Sequence, residues 1–374
     1  PAEDALVPVL GYSLDEKFGF EGQPPNVRYW MNQYAEQVQF ARAGDLEPEA
    51  KIRSLWQKYL VTDFVPSRER DDWGQVGPLL TTSWDQGWPY NYYCPADPSG
   101  PGGHTYAGCV ATACAQIGYY YRWPGNGLGY YCYTPLIHPE YGEQCADFEN
   151  TWYRFDEMVD QPLTLNTAIA EYLYHFGVAF EMDYDPSGSG PANIDTMDYF
   201  LKMHPYEVIY RDDYGCDSLW ISFLKDEVDA LRPLFYGGDP VSPPGHAFVC
   251  DGYQDSAYFH FNLGWGGQSN GYYFINDLAG YNYNQYVVYP AYLDTIQYVY
   301  PPYFSGNDTL DNLVGSIEDG SGPIHNYLNN TQASWLIDPQ NEQDSVSSIT
   351  LTFKRCDLCE DDDRLIVYDG TDNT

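Results

Sequence analysis

The chain is poor in positive charge, with 17 Lys and Arg against 54 Asp and Glu in 374 residues and a formal net charge of −37. So acidic a surface repels phosphate backbones and anionic lipid headgroups, which argues against nucleic-acid binding. It fits a soluble protein with a solvated surface, or a saline setting. No apolar run approaches 18 residues, so no membrane-spanning helix is expected. Histidines number seven and form no His-x-x-x-His, and there is no pair of Cys-x-x-Cys motifs. A zinc hydrolase is therefore a poor reading, and no cofactor is expected for catalysis. Internal repeats are not apparent. The chain starts at Pro1 with no basic n-region, so any signal peptide is expected to be gone already.

What is present begins with Cys109, in Gly108-Cys109-Val110-Ala111-Thr112-Ala113-Cys114-Ala115-Gln116. Val110, Cys114, Ile117 and Tyr121 recur at helical spacing, which places Cys109 in the first turn beside unpaired N–H groups. There the helix dipole and a neighbouring imidazolium lower a thiol from about 8.5 to roughly 3.5–7.5. The plainer alternative is a small buried hydrophobe, which suits Cys114 better. His246 follows in Gly245-His246-Ala247-Phe248-Val249-Cys250-Asp251-Gly252, a short strand, with Tyr258–Asn262 as its neighbour. Asn262 would then reach the imidazole, and the turn Gly264-Trp265-Gly266-Gly267 would place an aromatic beside both. Upstream, Trp84–Asn91 holds Gln86 in a Gly/Pro-bounded loop suited to donate to an oxyanion. A nucleophilic cysteine with a distant histidine base predicts an enzyme.

The segments Trp84–Asn91, Gly108–Gln116, Gly245–Gly252 and Asn262–Gly271 together resemble the streptopain family of bacterial cysteine peptidases. The resemblance implies an α+β, papain-like two-lobed fold, with Cys109 as nucleophile and His246 as general base, then acid. Gln86 and the Cys109 N–H would form the oxyanion hole, Asn262 would orient the imidazole, and Trp265 would wall the site. It further implies that Gly177–Gly190, read as a strand dissolving into a Ser/Gly/Pro loop, lines the substrate cleft. Ser187, Ser189 and Gly245 are then candidates for binding peptide backbone, with an ordinary surface loop as the alternative for the serines. One position departs: Leu263 stands where the family usually has tryptophan after the asparagine, and a leucine shields the Asn–His bond less. The other histidines, His260 included, read as packed or surface side chains.

Three regions are expected. Residues 1–75 hold 8 of the 17 basic and 13 of the 54 acidic residues, and show helical apolar spacing at Val27, Trp30, Met31, Tyr34, Val38 and Ala41, then Ile52, Leu55, Trp56, Tyr59 and Leu60. The family resemblance implies a partial pro-segment acting as an intramolecular inhibitor, removed near Arg68–Asp72; an integral subdomain is the alternative. Residues 76–302 would be the peptidase domain. Residues 303–374 shift to an alternating β pattern at Ile349, Leu351, Phe353, Leu365 and Val367 and resemble the start of a CUB-like β-sandwich, too short to be complete. That resemblance implies Glu360, Asp363 and Asp369 as calcium ligands, with a solvated acidic turn as the alternative.

Nine cysteines suggest an oxidising compartment. Cys132 and Cys145, flanking a Tyr/Pro/Gly-rich excursion, make the best pair, and Cys356 with Cys359 the second. The 38 tyrosines fit β-rich packing with wet hydroxyl ends. The expected protein is a secreted cysteine endopeptidase zymogen acting on proteins or peptides. The competing expectation is a non-catalytic surface or adhesion protein that keeps the scaffold.

Overall fold

A computed structural model describes residues 4–14, 25–44, 47–48, 50–61, 74–192, 201, 206–214, 216–240, 245–254, 258–278, 280–290, 304–311, 317, 319, 331–339, 346–351 and 364–368. The expected cleavage stretch Arg68–Asp72, the calcium candidates Glu360, Asp363 and Asp369, and Cys356 and Cys359 lie outside the described residues.

The α+β expectation holds, and two cores build it. The first is helical. Helix α3, Cys109–Tyr121, is rich in alanine, and its small side chains let neighbours close in on every side, so Val110 through Tyr119 are all buried. It packs against α4, Thr167–Ala179, which Asn166 caps by accepting the Ile169 N–H at 3.1 Å. Trp84, Phe148, Tyr172, Phe176 and Phe180 fill this core. Here the Gly177–Gly190 expectation is corrected: Gly177–Ala179 close α4, because the apolar positions of 168–178 continue the helix, and strand forms only at Met182–Asp183 (β5) and where Gly190–Pro191 (β6) pairs back on it.

The second core lies on an antiparallel sheet. Its strands are β1 (Gly11–Tyr12), β2 (Gln75–Val76), β7 (Tyr206–Tyr210), β8 (Leu234–Asp239), β9 (His246–Gln254), β10 (Tyr258–Asn262), β11 (Gly271–Phe274) and β12 (Tyr283–Pro290), in the order β1-β11-β10-β9-β8-β12-β7 with β2 on β9. Every residue of β9 and β10 is buried, as expected of strands covered on both faces. Trp220 and Leu224 from α5, Asp217–Asp229, pack here with Phe248, Phe261 and Tyr281.

The N-terminal residues dock on this sheet. Helices α1, Pro25–Gly44, and α2, Ala50–Val61, form where the apolar spacing places them. Strand β1 extends the sheet edge with Gly11 opposite Tyr273. Trp30 joins the second core and donates from Nε1 to Asp277 Oδ1 at 3.0 Å. Beyond Phe304, β13 (Gly306–Leu310) and β14 (Ala333–Ile337) pair in parallel. The expected strands around Ile349 and Leu365 are not formed among the described residues; Ile349, Leu351, Leu365 and Val367 are exposed there. An alternating strand needs a partner to cover its apolar face, and none is paired with these.

Candidate active site

The two cores meet where α3 begins. Gly108 precedes it at φ +94°, a conformation L side chains rarely adopt, and a Cβ there would lie 2.8 Å from Met182 and 3.2 Å from the Ser189 carbonyl. Glycine lets the wall from β5 onward close against the helix start. Cys109 is half-buried in the first turn, and its sulfur takes N–H groups from Ala247 and Val110. Burial pushes its thiol up, and these hydrogen bonds only partly oppose that.

His246 opens β9, one residue before the N–H that meets the thiol. Its ring is buried, stacked on Trp265 at 4.7 Å between centroids and beside Tyr281 at 5.4 Å. Nε2 lies 2.8 Å from the Leu263 carbonyl. A carbonyl only accepts, so Nε2 carries the proton and Nδ1 has the free lone pair of the neutral ring. Burial lowers the imidazole to about 4, with the Leu263 bond opposing. Burial thus favours the uncharged form of each group, and no hydrogen bond joins them among the described residues.

Gln86 sits in a loop stitched on both sides. Ala107 N–H donates to Gln86 O at 2.8 Å, Gly266 N–H to Trp84 O at 3.1 Å, and Gln86 Nε2 to Gly264 O at 3.3 Å. Trp84, fully buried with Nε1 on Val159 O, anchors this loop in the helical core. The structure thus brings Gln86, Cys109, His246 and Trp265 into one region.

Asn262 behaves differently from its expected contact. Its amide donates to Thr82 O at 2.7 Å and Gln116 Oε1 at 3.1 Å, and its Oδ1 accepts from Gly264 N–H at 3.1 Å and Gln116 Nε2 at 3.3 Å. None of these partners is His246. Asn262 instead holds the 262–264 turn whose Leu263 carbonyl meets the ring. Leu263 itself is fully buried in the sheet core, its N–H on Asn270 Oδ1 at 2.8 Å. Ser189 is buried beside Gly108 with its hydroxyl turned inward to Tyr106 O at 2.6 Å, whereas Ser187 is exposed and bonds Asp185. Gly245 is exposed at the head of β9. His260 is a packed strand residue, 2.6 Å from the Asp251 carboxylate.

Gln116 and Tyr281 did not stand out in the sequence. Gln116 follows Cys109 by seven residues on a helix otherwise apolar or small, and a buried amide there has to be hydrogen-bonded. Tyr281 leaves no such signal, since tyrosine is common throughout.

A helix-borne thiol, a strand-borne imidazole and a glutamine loop, set between a helical and a sheet lobe, define a papain-like cysteine peptidase fold. Residues 84–273 match the Peptidase C10 family, and the chain belongs to that family of cysteine peptidases. It is 30% identical over 292 residues to the thiol protease/hemagglutinin PrtT of Porphyromonas gingivalis, covering 74% of this chain and 32% of that protein. It is 29% identical over 294 residues to streptopain of Streptococcus pyogenes, covering 72% and 69%. The chain thus spans about a third of the first of these relatives. Among solved structures, the active wild-type interpain A cysteine protease of Prevotella intermedia aligns with TM-score 0.53 and 34% identity, over 57% of this chain and 94% of that one. A prointerpain A fragment with a cysteine-to-alanine mutation aligns with TM-score 0.58 and 29% identity, over 75% and 88%.

Proposed function

We propose that the chain is the zymogen of a secreted cysteine endopeptidase that cuts proteins or peptides through an acyl-enzyme. The observation that carries this is the placement of Cys109 at the start of α3 against the first residues of β9, beside the Gln86 loop. His246 Nδ1 takes the thiol proton and the thiolate adds to the peptide carbonyl. Gln86 Nε2 and the Cys109 N–H receive the oxyanion, Nδ1–H then protonates the leaving amine, and water activated by Nδ1 releases the acyl group. The Leu263 carbonyl holds Nε2–H throughout, the task the family resemblance assigns to Asn262.

In the resting arrangement no hydrogen bond joins Cys109 to His246 among the described residues, and burial favours the uncharged form of each. Residues 1 to about 72 are read as the inhibitory segment, with the peptidase domain from 76 to 302. A physical link runs from that segment to the base: Trp30 packs on Gly280 and bonds Asp277, and the adjoining Tyr281 packs on His246. The pro-form alignment also reaches a larger share of this chain than the active-enzyme alignment. Secretion is supported by the Cys132–Cys145 disulfide, since such bridges persist in oxidising compartments. Among the described residues no helix is long and apolar enough to cross a membrane.

The test is covalent. After removal of the N-terminal segment, an epoxide or chloromethyl ketone inhibitor should modify Cys109, located by peptide mass mapping, and Cys109→Ala should lose proteolysis. An unmodified Cys109 together with absent hydrolysis would favour the non-catalytic adhesion protein.

A further inference from the structure

Strands β3, Tyr130–Tyr133, and β4, Gln144–Asp147, pair with Cys132 opposite Cys145, and their disulfide closes an arm of the chain between them. This arm leans on residues 181–185. Tyr131 OH donates to Glu181, and Tyr133 OH to Met182 O at 2.6 Å. The N–H groups of Ile137 and His138 both reach the Asp183 carboxylate, at 3.0 Å and 3.2 Å. The ring of His138 completes the brace, with Nδ1 2.9 Å from Glu140 Oε1 and Nε2 3.2 Å from Asp185 Oδ2. Carboxylates at both nitrogens can be satisfied only by a ring bearing two N–H groups, the imidazolium.

The braced segment is the wall beside the nucleophile. Tyr106 N–H donates to Asp185 O at 3.2 Å, Asp185 N–H to Ser189 Oγ at 3.0 Å, and Ser189 Oγ to Tyr106 O at 2.6 Å. Tyr106 lies three residues before Cys109, and the Ser189 carbonyl abuts Gly108. We propose that His138, carried on the disulfide-closed arm, is a positioning residue that fixes the 183–189 wall for the substrate backbone, and so governs substrate affinity more than the chemical step. This rests on the peptidase reading.

The groups facing His138 are Glu140 on its own arm, Asp183 and Asp185 on the wall, and the Tyr141 ring, whose hydroxyl is engaged by Asp97. Hydrogen bonding to Glu140 leads the causes that raise its pKa above the ordinary histidine value. As pH rises through that raised value the ring loses one N–H, a bare nitrogen then faces a carboxylate, and the brace opens.

The experiment compares wild type, His138→Gln and the double variant Cys132→Ser/Cys145→Ser. Steady-state kinetics on a peptide substrate use the trimmed enzyme, and backbone hydrogen exchange of 181–190 uses the full chain. Expected are a KM raised roughly threefold or more with kcat within about twofold, and faster exchange of the wall in both variants. Wild-type KM should also climb from about pH 6 to 8 while that of His138→Gln stays level over this range. Unchanged KM with unchanged exchange overturns the proposal, as does a loss confined to kcat. Exchange is read without turnover, so an inert trimmed wild type would refute the peptidase reading while the exchange result still decides the brace.

Discussion

Asn262 is 2% exposed and meets four polar groups, so removing its amide leaves Thr82 O, Gln116 Nε2 and the Gly264 N–H buried without these partners, while Gln116 Oε1 keeps the Thr82 hydroxyl and the Trp84 N–H. Such orphaned groups cost about 1–3 kcal/mol. Asn262→Ala should therefore lower the melting temperature by roughly 3–8 °C and reduce turnover by shifting the Leu263 carbonyl off His246. An unshifted melting curve would refute the structural part of that role. Acid acts on two other residues. His246 is held at about 4 by burial, and so is His175, buried beside Phe148 with Nδ1 3.0 Å from Tyr153 OH. An unfolded histidine titrates near 6.5, so between about pH 6.5 and 4 the unfolded chain binds more protons than the fold. Stability is then full above about 6.5 and falls toward 4, with a slope of up to about 1.4 kcal/mol per pH unit from each ring. Melting temperatures across this range should drop steeply in wild type and less steeply in His175→Gln; identical slopes would remove His175 from the account.

At the scale of elements, α1 is tied down by one indole. Trp30 is 6% exposed, lies against Tyr273 and Gly280, and bonds Asp277. Truncating a buried tryptophan costs about 3–5 kcal/mol. In Trp30→Ala that loss falls on the docking of the N-terminal helices, so limited proteolysis should remove the segment at least about tenfold faster. An unchanged digestion rate would mean that β1 and the packing of Val9, Leu55 and Tyr59 on the sheet hold the segment without Trp30. Much of this architecture was legible in the chain: α1, α2 and α3 follow apolar spacing, and β9 and β10 follow dense apolar runs bounded by turn residues. Cys132 facing Cys145 was legible because the excursion they flank returns on itself. The end of α4 was misread, since Gly177 resembles a break in the pattern although the helix tolerates it. The contact between His246 and Leu263 was illegible for a deeper reason: a backbone carbonyl has no side-chain signature, and only the fold decides which one faces the ring. Asn262 carried the visible signal and sits one residue away.

Charge is a property of the whole molecule. The first 75 residues have a net charge of −5 and the other 299 a net charge of −32, so the N-terminal segment is less acidic, residue for residue, than the body it lies on. Its hold on that body is apolar and backbone-based, through β1 on β11, Trp30 in the sheet core, Leu55 and Tyr59 against Tyr258, Tyr272 and Phe274, and Tyr258 OH on Val9 O. Such contacts are little affected by salt, whereas the mutual repulsion of 54 carboxylates is screened over a Debye length that shrinks from about 30 Å at 0.01 M to about 8 Å at 0.15 M. Repulsion opposes the compact state most where charges are closest, and the unfolded chain spreads them apart. Raising sodium chloride from about 0.01 M to 0.15 M should therefore raise the melting temperature of the full chain. The same step should leave the rate of N-terminal removal by a salt-tolerant protease nearly unchanged. Were electrostatics what docks the segment, salt would accelerate its removal, and that acceleration, measured beside the melting curves, would overturn this division of labour between charge and packing.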